Sequence, residues 1–246
     1  MITATPKNKY LIPSNYFKYL PFHAKRIFGR KYSISYSQSG EDLLIAFIFE
    51  VFIKNAKPTY LDLGAHHSSF MSNTYLFYKK GCRGVCVEPD PLLFEEIKKN
   101  RSKDVCLNVG VGFSDKKEAD FYVLSASALS TFSKAEVEKC SAYTTVEKII
   151  KVPLLSINEI IEKHFTTAPD FISLDIEGLD FEVIKTLDFI NHRPKVLCVE
   201  TIENSTEKKH SEINEFMLSK DYMVYADTYI NTIFVDKNVR DIWKKK

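Results

Sequence analysis

Tyr60-Leu61-Asp62-Leu63-Gly64-Ala65-His66-His67 decides how the rest of this chain is read. A run that is apolar but for one carboxylate passes straight into glycine and alanine. That is the pattern of a buried strand ending in a turn where the backbone lies bare. Downstream, Ser72 or Asn73 can cap a helix running to Lys80 and closed by Gly81. Gly84 to Val87 then reads as a second strand, and Glu88-Pro89-Asp90-Pro91 follows it. Asp90 is placed to cap the next helix, with Pro91 in its first turn and its end near Asn100.

The alternation continues. Val105 to Val111 predicts a third strand, and Phe121 to Leu124 and Glu147 to Val152 two shorter ones around a polar stretch with Ser125, Ser127, Ser130, Thr131 and Ser133. Ser156, with Glu159 three residues on, forms a capping box for a helix through His164. Phe171 to Leu174 is a fourth main strand, with a helix starting at Asp180, and Lys195 to Val199 a fifth, with a helix from about Glu207 to Ser219. Tyr222 to Ala226 and Thr232 to Val235 close the chain as an antiparallel pair. Strands alternating with helices predict an α/β Rossmann-like fold: a mostly parallel seven-stranded sheet, a C-terminal antiparallel hairpin and helices on both faces. That terminal hairpin separates the class I methyltransferase variant of the fold from plain dinucleotide-binding domains.

The 246 residues are 45% hydrophobic and 27% charged, the balance of an ordinary globular protein. The longest apolar run, Leu43 to Ile53, is too short to cross a bilayer, and no stretch reads as a secretion signal. Five scattered cysteines without a C-x-x-C pair indicate neither zinc nor a disulfide framework, and a reduced, cytoplasmic protein is expected. The net charge of +2 conceals an arm over residues 1–35 that is free of acidic residues. There Lys18, Lys25, Arg26 and Arg30 stand among Tyr16, Phe17, Tyr19 and Phe22, ahead of a catalytic domain over 36–246. Such an arm suits peripheral attachment to the anionic inner face of a membrane, or to a polyanionic glycan. Equally, its aromatic residues can pack on the domain or on a second subunit in a homo-oligomer while the basic ones stay solvated. Nothing in the charge pattern calls for nucleic acid.

In open parallel sheets, ligands sit outside the carboxyl ends of the strands where strand order reverses, so the residues just after each strand carry the chemistry. Gly64 and Ala65 let a ligand approach the backbone. Asp62 beside them would repel a pyrophosphate and attract the ammonium of a methionine moiety. Glu88, at the end of the second strand, can accept two ribose hydroxyls. The loop continues His66-His67-Ser68-Ser69 without the further glycines of G-x-G-x-x-G, which weakens a nicotinamide-dependent oxidoreductase as an alternative. Asp175 and Glu177 follow the fourth strand and Glu200 the fifth. They can take a proton from an acceptor hydroxyl, or Asp175 and Glu200 can hold Mg²⁺ or Mn²⁺; the plainer role for Asp175 and Glu177 is to cap the next helix. His66 and His67 are further candidates for the base.

Three blocks carry a resemblance to a known family. They are Tyr36-Ser37-Gln38-Ser39-Gly40-Glu41-Asp42; the stretch from Tyr60 through Ser72-Asn73-Thr74 and Gly81-Cys82-Arg83-Gly84 to Glu88-Pro89; and Phe171-Ile172-Ser173-Leu174-Asp175-Ile176-Glu177-Gly178 with the later Pro194 to Glu200. In this order and spacing the chain resembles the FkbM-type methyltransferases over about Tyr36 to Asp236. The resemblance implies methyl transfer from S-adenosylmethionine, commonly to a hydroxyl oxygen of a sugar in a glycan or of a natural product. It implies cofactor contacts from Asp62, Gly64, Ala65 and Glu88, with Gln38, Glu41 and Asp42 closing over the site and Asn108 and Gly110 along the adenine edge. Ser68, where the family has glycine or proline, stands in the loop beside the methionine carboxylate. A non-catalytic module on the same fold, binding an anionic glycan or a nucleoside, is the remaining alternative.

Overall fold

The computed structural model describes residues 34–203, 208–209 and 211–239. All but the last two residues of the expected basic arm lie outside these, and with them the membrane and self-association roles attached to it. Among the described residues no helix is long and apolar enough to cross a membrane, and all five cysteines are free thiols.

The central sheet is built from β1 (Tyr60–Leu63), β2 (Gly84–Val87), β3 (Val105–Leu107), β7 (Phe171–Leu174), β8 (Val196–Glu200), β11 (Tyr222–Asp227) and β12 (Asn231–Asp236). Their order across the sheet is β11-β12-β8-β7-β1-β2-β3, while the short β9 (Ile202–Glu203) and β10 (Lys208–Lys209) pair with each other. Strand β12 runs antiparallel between β8 and β11, and the other contacts of the sheet are parallel. This is the class I methyltransferase topology, a mostly parallel sheet closed by an antiparallel hairpin. The order reverses between β1 and β7, so the crevice lies where those two strands end.

Helices cover both faces because the strands bury both. Leu61 and Leu63 of β1 pack on one side with α5 (Ile157–His164), α6 (Asp180–Thr186) and α7 (Ser211–Ser219). Tyr60 packs on the other with α1 (Glu41–Phe47), the π-helical turn Ile48–Ile53 that continues it, α2 (Tyr75–Lys79) and α3 (Pro91–Asn100). Capping sets several starts. The Asp90 carboxylate accepts the Leu92 amide ahead of α3, and Ser156 with Glu159 closes the capping box of α5. Helix α2 starts later than the sequence indicates: Ser72 Oγ accepts the Tyr75 amide at 3.1 Å, while Asn73 reaches across to Ser173.

One expected element divides in two. The run from Val105 to Val111 leaves the main sheet after Leu107 and re-forms as β4 (Gly110–Gly112) beside β6 (Val146–Ser156), whose other neighbour is β5 (Glu118–Leu124). Asn108 turns the chain by donating to the carbonyls of Glu88 and Pro89 at 2.9 and 3.0 Å. Gly110 permits the new path, since a β-carbon there would come within 2.3 Å of Phe132 and 2.7 Å of Leu154. The segment between β5 and β6, with α4 (Lys134–Cys140) inside it, folds beside the crevice.

Candidate active site

A cleft of about 280 Å³ opens at the carboxyl ends of β1, β2, β7 and β8. That is close to the lower end of the size range of small-molecule sites. Gly64 and Asp175 floor it. Gly64 adopts φ +82°, and its amide donates to the Val87 carbonyl at 3.1 Å, so the turn lies flat over the sheet.

Glu88 forms one end. It is buried, and its two carboxylate oxygens accept the backbone amides of His66 and Asp90, each at 2.8 Å. Each oxygen keeps acceptor capacity toward the cleft. Burial pushes its pKa up to about 7, against the pull of those two amides. Beside it Pro89, Val109, Gly110, Val111 and Phe132 make an apolar slot.

Asp175 and Glu200 form the other end. The register of β7 and β8 pairs Leu174 with Val199, so the next residue of each strand falls side by side. The two side chains meet in a hydrogen bond, and both line the cleft. Burial raises Asp175 to about 7, helped by the negative charges of Asp180, Asp62 and Glu41 and opposed by the Glu200 bond. The following helix starts after Leu179 without a side-chain cap, and the Asp180 carboxylate instead accepts the loop amides of Ile176 and Gly178. Asp175 therefore does not cap that helix. Glu177 lines the cleft with φ 57°, held by the Thr131 hydroxyl, which donates to its carbonyl at 2.9 Å.

The two histidines part company. His66 lines the cleft, its Nε2 3.1 Å from Ser127 Oγ, and burial followed by the neighbouring His67 keeps its pKa below the usual histidine value. His67 spends Nδ1 on the amides of Ser69 and Phe70, and its Nε2 lies 3.4 Å from Glu96.

Of the residues proposed for the cofactor, Gln38, Gly64, Glu88 and Gly110 line the cleft. The others stand behind it. Asp62 shares the face of Tyr60, because strand side chains alternate. It is buried against Thr74, whose hydroxyl donates to it, and Arg101 Nη1 at 3.4 Å. Ala65 is buried in the core on that face. Ser68 donates to Glu96 at 2.7 Å. Asp42 gathers the Ser35 and Ser37 hydroxyls and the Tyr36 amide. Glu41 accepts the Thr228 hydroxyl at 2.6 Å and the Asn231 amide at 3.2 Å, tying this lead-in to the terminal hairpin. Although burial works the other way, those bonds hold its pKa below the usual glutamate value. Among the described residues, no group of three or more His, Cys, Asp or Glu stands so as to hold a metal ion, so Mg²⁺ or Mn²⁺ on Asp175 and Glu200 would depend on water or substrate for its other ligands.

Sequence reasoning missed one wall. Phe121 and the segment Ser127 to Ser130, with Phe132, face the cleft from the β5–β6 insertion, and Met71 and Ile230 complete the rim. The signal available was the Ser/Thr-rich stretch between two strand-like runs.

The family model described as a methyltransferase FkbM domain matches residues 62–224. No curated protein matches significantly. Among solved structures, a TehB-like SAM-dependent methyltransferase from Corynebacterium glutamicum aligns with 90% of this chain and 96% of its own, at 11% identity and TM-score 0.43. An O-methyltransferase from Bacillus cereus in complex with SAH aligns with 92% and 91%, at 11% identity and TM-score 0.42. The 1,6-didemethyltoxoflavin-N1-methyltransferase of Burkholderia thailandensis aligns with 95% and 91%, at 10% identity and TM-score 0.39. Nothing about this chain's acceptor follows from them.

Proposed function

The chain belongs to the FkbM methyltransferase family and is an S-adenosylmethionine-dependent methyltransferase, and from that premise we propose that it O-methylates an uncharged hydroxyl, of a sugar in a glycan or of a natural product. The observation that carries this reading is the division of the cleft: a ribose-type carboxylate, Glu88, at one end and the Asp175–Glu200 carboxyl pair at the other.

The cleft suits the cofactor on its own chemistry. Glu88 would accept the two ribose hydroxyls, each oxygen being already oriented by a backbone amide. The apolar slot along Val109, Gly110 and Val111 would take the adenine. When bound, S-adenosylmethionine supplies a methyl group made electrophilic by its sulfonium. A pyrophosphate in the same place would face carboxylates throughout, which is why a nicotinamide dinucleotide fits poorly.

A hydroxyl is a poor nucleophile until its proton is removed, and the best base has a pKa near the working pH. Asp175 meets that requirement: it lines the cleft, and its pKa is raised to about 7. Glu200 orients it. His66, held neutral and directed toward Ser127, would position the acceptor from the rim.

Incubating the purified chain with methyl-labelled S-adenosylmethionine and a panel of neutral glycosides and phenols, then locating the label by mass spectrometry, tests the proposal. Label on oxygen in a neutral acceptor is expected. Label only on nitrogen or on a carboxylate would overturn the assignment of acceptor.

A further inference from the structure

We propose that a second cavity beside the cleft is an acceptor subsite, which holds a neutral ring attached to the sugar being methylated. The inference rests on the reading of the chain as an O-methyltransferase of a neutral hydroxyl, and it narrows the acceptor to a sugar that bears a second ring. The cavity has a volume of about 310 Å³ and is walled, among the described residues, by 35–38 and 69–71. Gln38 and Met71 line both this cavity and the cleft, so the two spaces adjoin. Methyl transfer needs two molecules side by side, and the cleft, at about 280 Å³, is the size of a site for one.

Both walls are braced. The Ser72 amide donates to the Tyr36 carbonyl at 2.9 Å, which fastens the loop after β1 to the lead-in before α1. Tyr36 is held further by Tyr75, edge-on with 4.9 Å between ring centroids, and by Lys79 Nζ, which donates to its hydroxyl at 2.9 Å. On the opposite wall His67 Nδ1 accepts the amides of Ser69 and Phe70 at 3.1 and 2.9 Å. Met71 follows in the left-handed region at φ 54°, a conformation that costs free energy and persists only where its surroundings fix it. Between these fixed points Phe70 lines the cavity with 64% of its surface exposed. A lone exposed phenylalanine needs no explanation. One held on a braced and strained loop, in a cavity that adjoins the cleft, does.

The chemistry of the walls selects the ligand. Among the described lining residues none is charged, so an ionised group would find no counter-charge there. The Ser35 and Ser37 hydroxyls are spent on Asp42. What remains is the Phe70 ring, the Met71 thioether and, at the junction with the cleft, the Gln38 amide. The negative face of an aromatic ring attracts the slightly positive edge of another ring. The Gln38 amide can both donate to and accept from a hydroxyl. A second sugar ring and an aromatic aglycone share the neutral ring edge that this surface takes.

Initial rates of the full chain with methyl-labelled S-adenosylmethionine test this. Three neutral acceptors carry the same sugar: its methyl glycoside, its phenyl glycoside and a disaccharide. A two-ring acceptor should have the higher kcat/KM by about fivefold, the scale of one ring contact. A gain from the phenyl glycoside alone assigns the cavity to an aromatic aglycone, and a gain from the disaccharide assigns it to a second sugar. Phe70→Ala should abolish most of the gain, through KM rather than kcat, and Phe70→Tyr should restore it. Equal kcat/KM for one and two rings in the wild-type chain overturns the proposal, as does a two-ring gain that Phe70→Ala leaves intact. A lower Tm of Phe70→Ala with the gain unchanged would show a ring packed against the chain itself, and overturns it too. If none of the three acceptors takes label on oxygen, the O-methylation reading falls and the subsite with it.

Discussion

Gly64 and Asp175 approach so closely that a β-carbon on Gly64 would stand 1.8 Å from the Asp175 carbonyl oxygen. The contact joins the ends of β1 and β7, where the Asp175 amide also donates to the Leu63 carbonyl at 3.1 Å. Gly64→Ala therefore meets two obstacles, a left-handed φ of +82° and a direct overlap with backbone that cannot swing aside. We expect a loss on the order of 3–5 kcal/mol, read as a fall in Tm of roughly 10 °C. An unchanged melting curve would mean that the two strand ends slide apart freely.

Glu88 links pH to both stability and binding. Its pKa is raised from 4.5 to about 7 in the folded chain, so the folded state binds this proton more tightly than the unfolded one. Its contribution to stability is complete below about pH 4.5 and is lost as pH rises through about 7. The cofactor-free chain should consequently melt higher at pH 6 than at pH 8, and Glu88→Gln should remove part of that slope, Asp175 carrying the rest. Cofactor affinity should run the other way, weakening below about pH 7 as the carboxylate protonates. In Glu88→Gln at pH 8 the loss should be about 1.5–3 kcal/mol, one charge-assisted hydrogen bond. Equal affinity in the variant would remove Glu88 from the ribose site.

The type of sheet and most strand positions were legible because both faces are buried, which makes the strands nearly continuous apolar runs ended by turn residues. The division of Val105–Val111 was not, since Asn108 and Gly110 act through contacts with Glu88 and Phe132 that are distant in sequence. At the site, residues at the last position of a strand or just after it reached the cleft, as Gly64, Glu88, Asp175 and Glu200 do. Asp62 stands inside its strand, and the pleat carries it to the opposite face, beyond the reach of motif reading. His66 and His67 are adjacent and chemically alike; only the left-handed φ of 50° at His66 separates one that lines the cleft from one that braces its own loop.

Asp62 should thus act on stability more than on the cofactor. Asp62→Asn keeps an acceptor for the Thr74 hydroxyl and for Arg101, so a loss of about 1–2 kcal/mol is expected. Calorimetric affinity for S-adenosylmethionine should stay within about threefold of wild type. Arg101→Met is the harsher change. It strands Asp62 and Asp104 in the core without their cation and should cost about 3–5 kcal/mol. An Asp62→Asn affinity loss as large as that of Glu88→Gln would place Asp62 against the cofactor after all.

The Thr131 hydroxyl ties the β5–β6 insertion to the loop after β7. Thr131 is 1% exposed, donates to the Glu177 carbonyl at 2.9 Å and accepts the Ser133 amide at 3.0 Å. Thr131→Val keeps the shape and removes both bonds, at about 1–2 kcal/mol. On the proposal that His66 and Ser127 position the acceptor from this wall, the variant should raise the acceptor KM several-fold while leaving cofactor affinity unchanged. A change confined to cofactor affinity would assign the wall to the adenosine side.

Asp175 carries the sharpest expectation about chemistry. Asp175→Asn preserves shape, and since Asp180 rather than Asp175 accepts the Ile176 and Gly178 amides, the loop should keep its path. Loss of a general base lowers turnover by about 10²–10⁴, and cofactor affinity should move far less. In the wild-type chain kcat should rise with pH through about 7 as the base ionises. Glu200→Ala deletes the hydrogen bond that favours the ionised form of Asp175, so the acid limb should shift to higher pH. Base and metal roles part in EDTA: turnover through a carboxylate base persists, whereas dependence on Mg²⁺ or Mn²⁺ would abolish it until the ion is restored. Full activity of Asp175→Asn on the true acceptor would move the base to Glu177, Glu200 or His66, proton acceptors that line the same cleft.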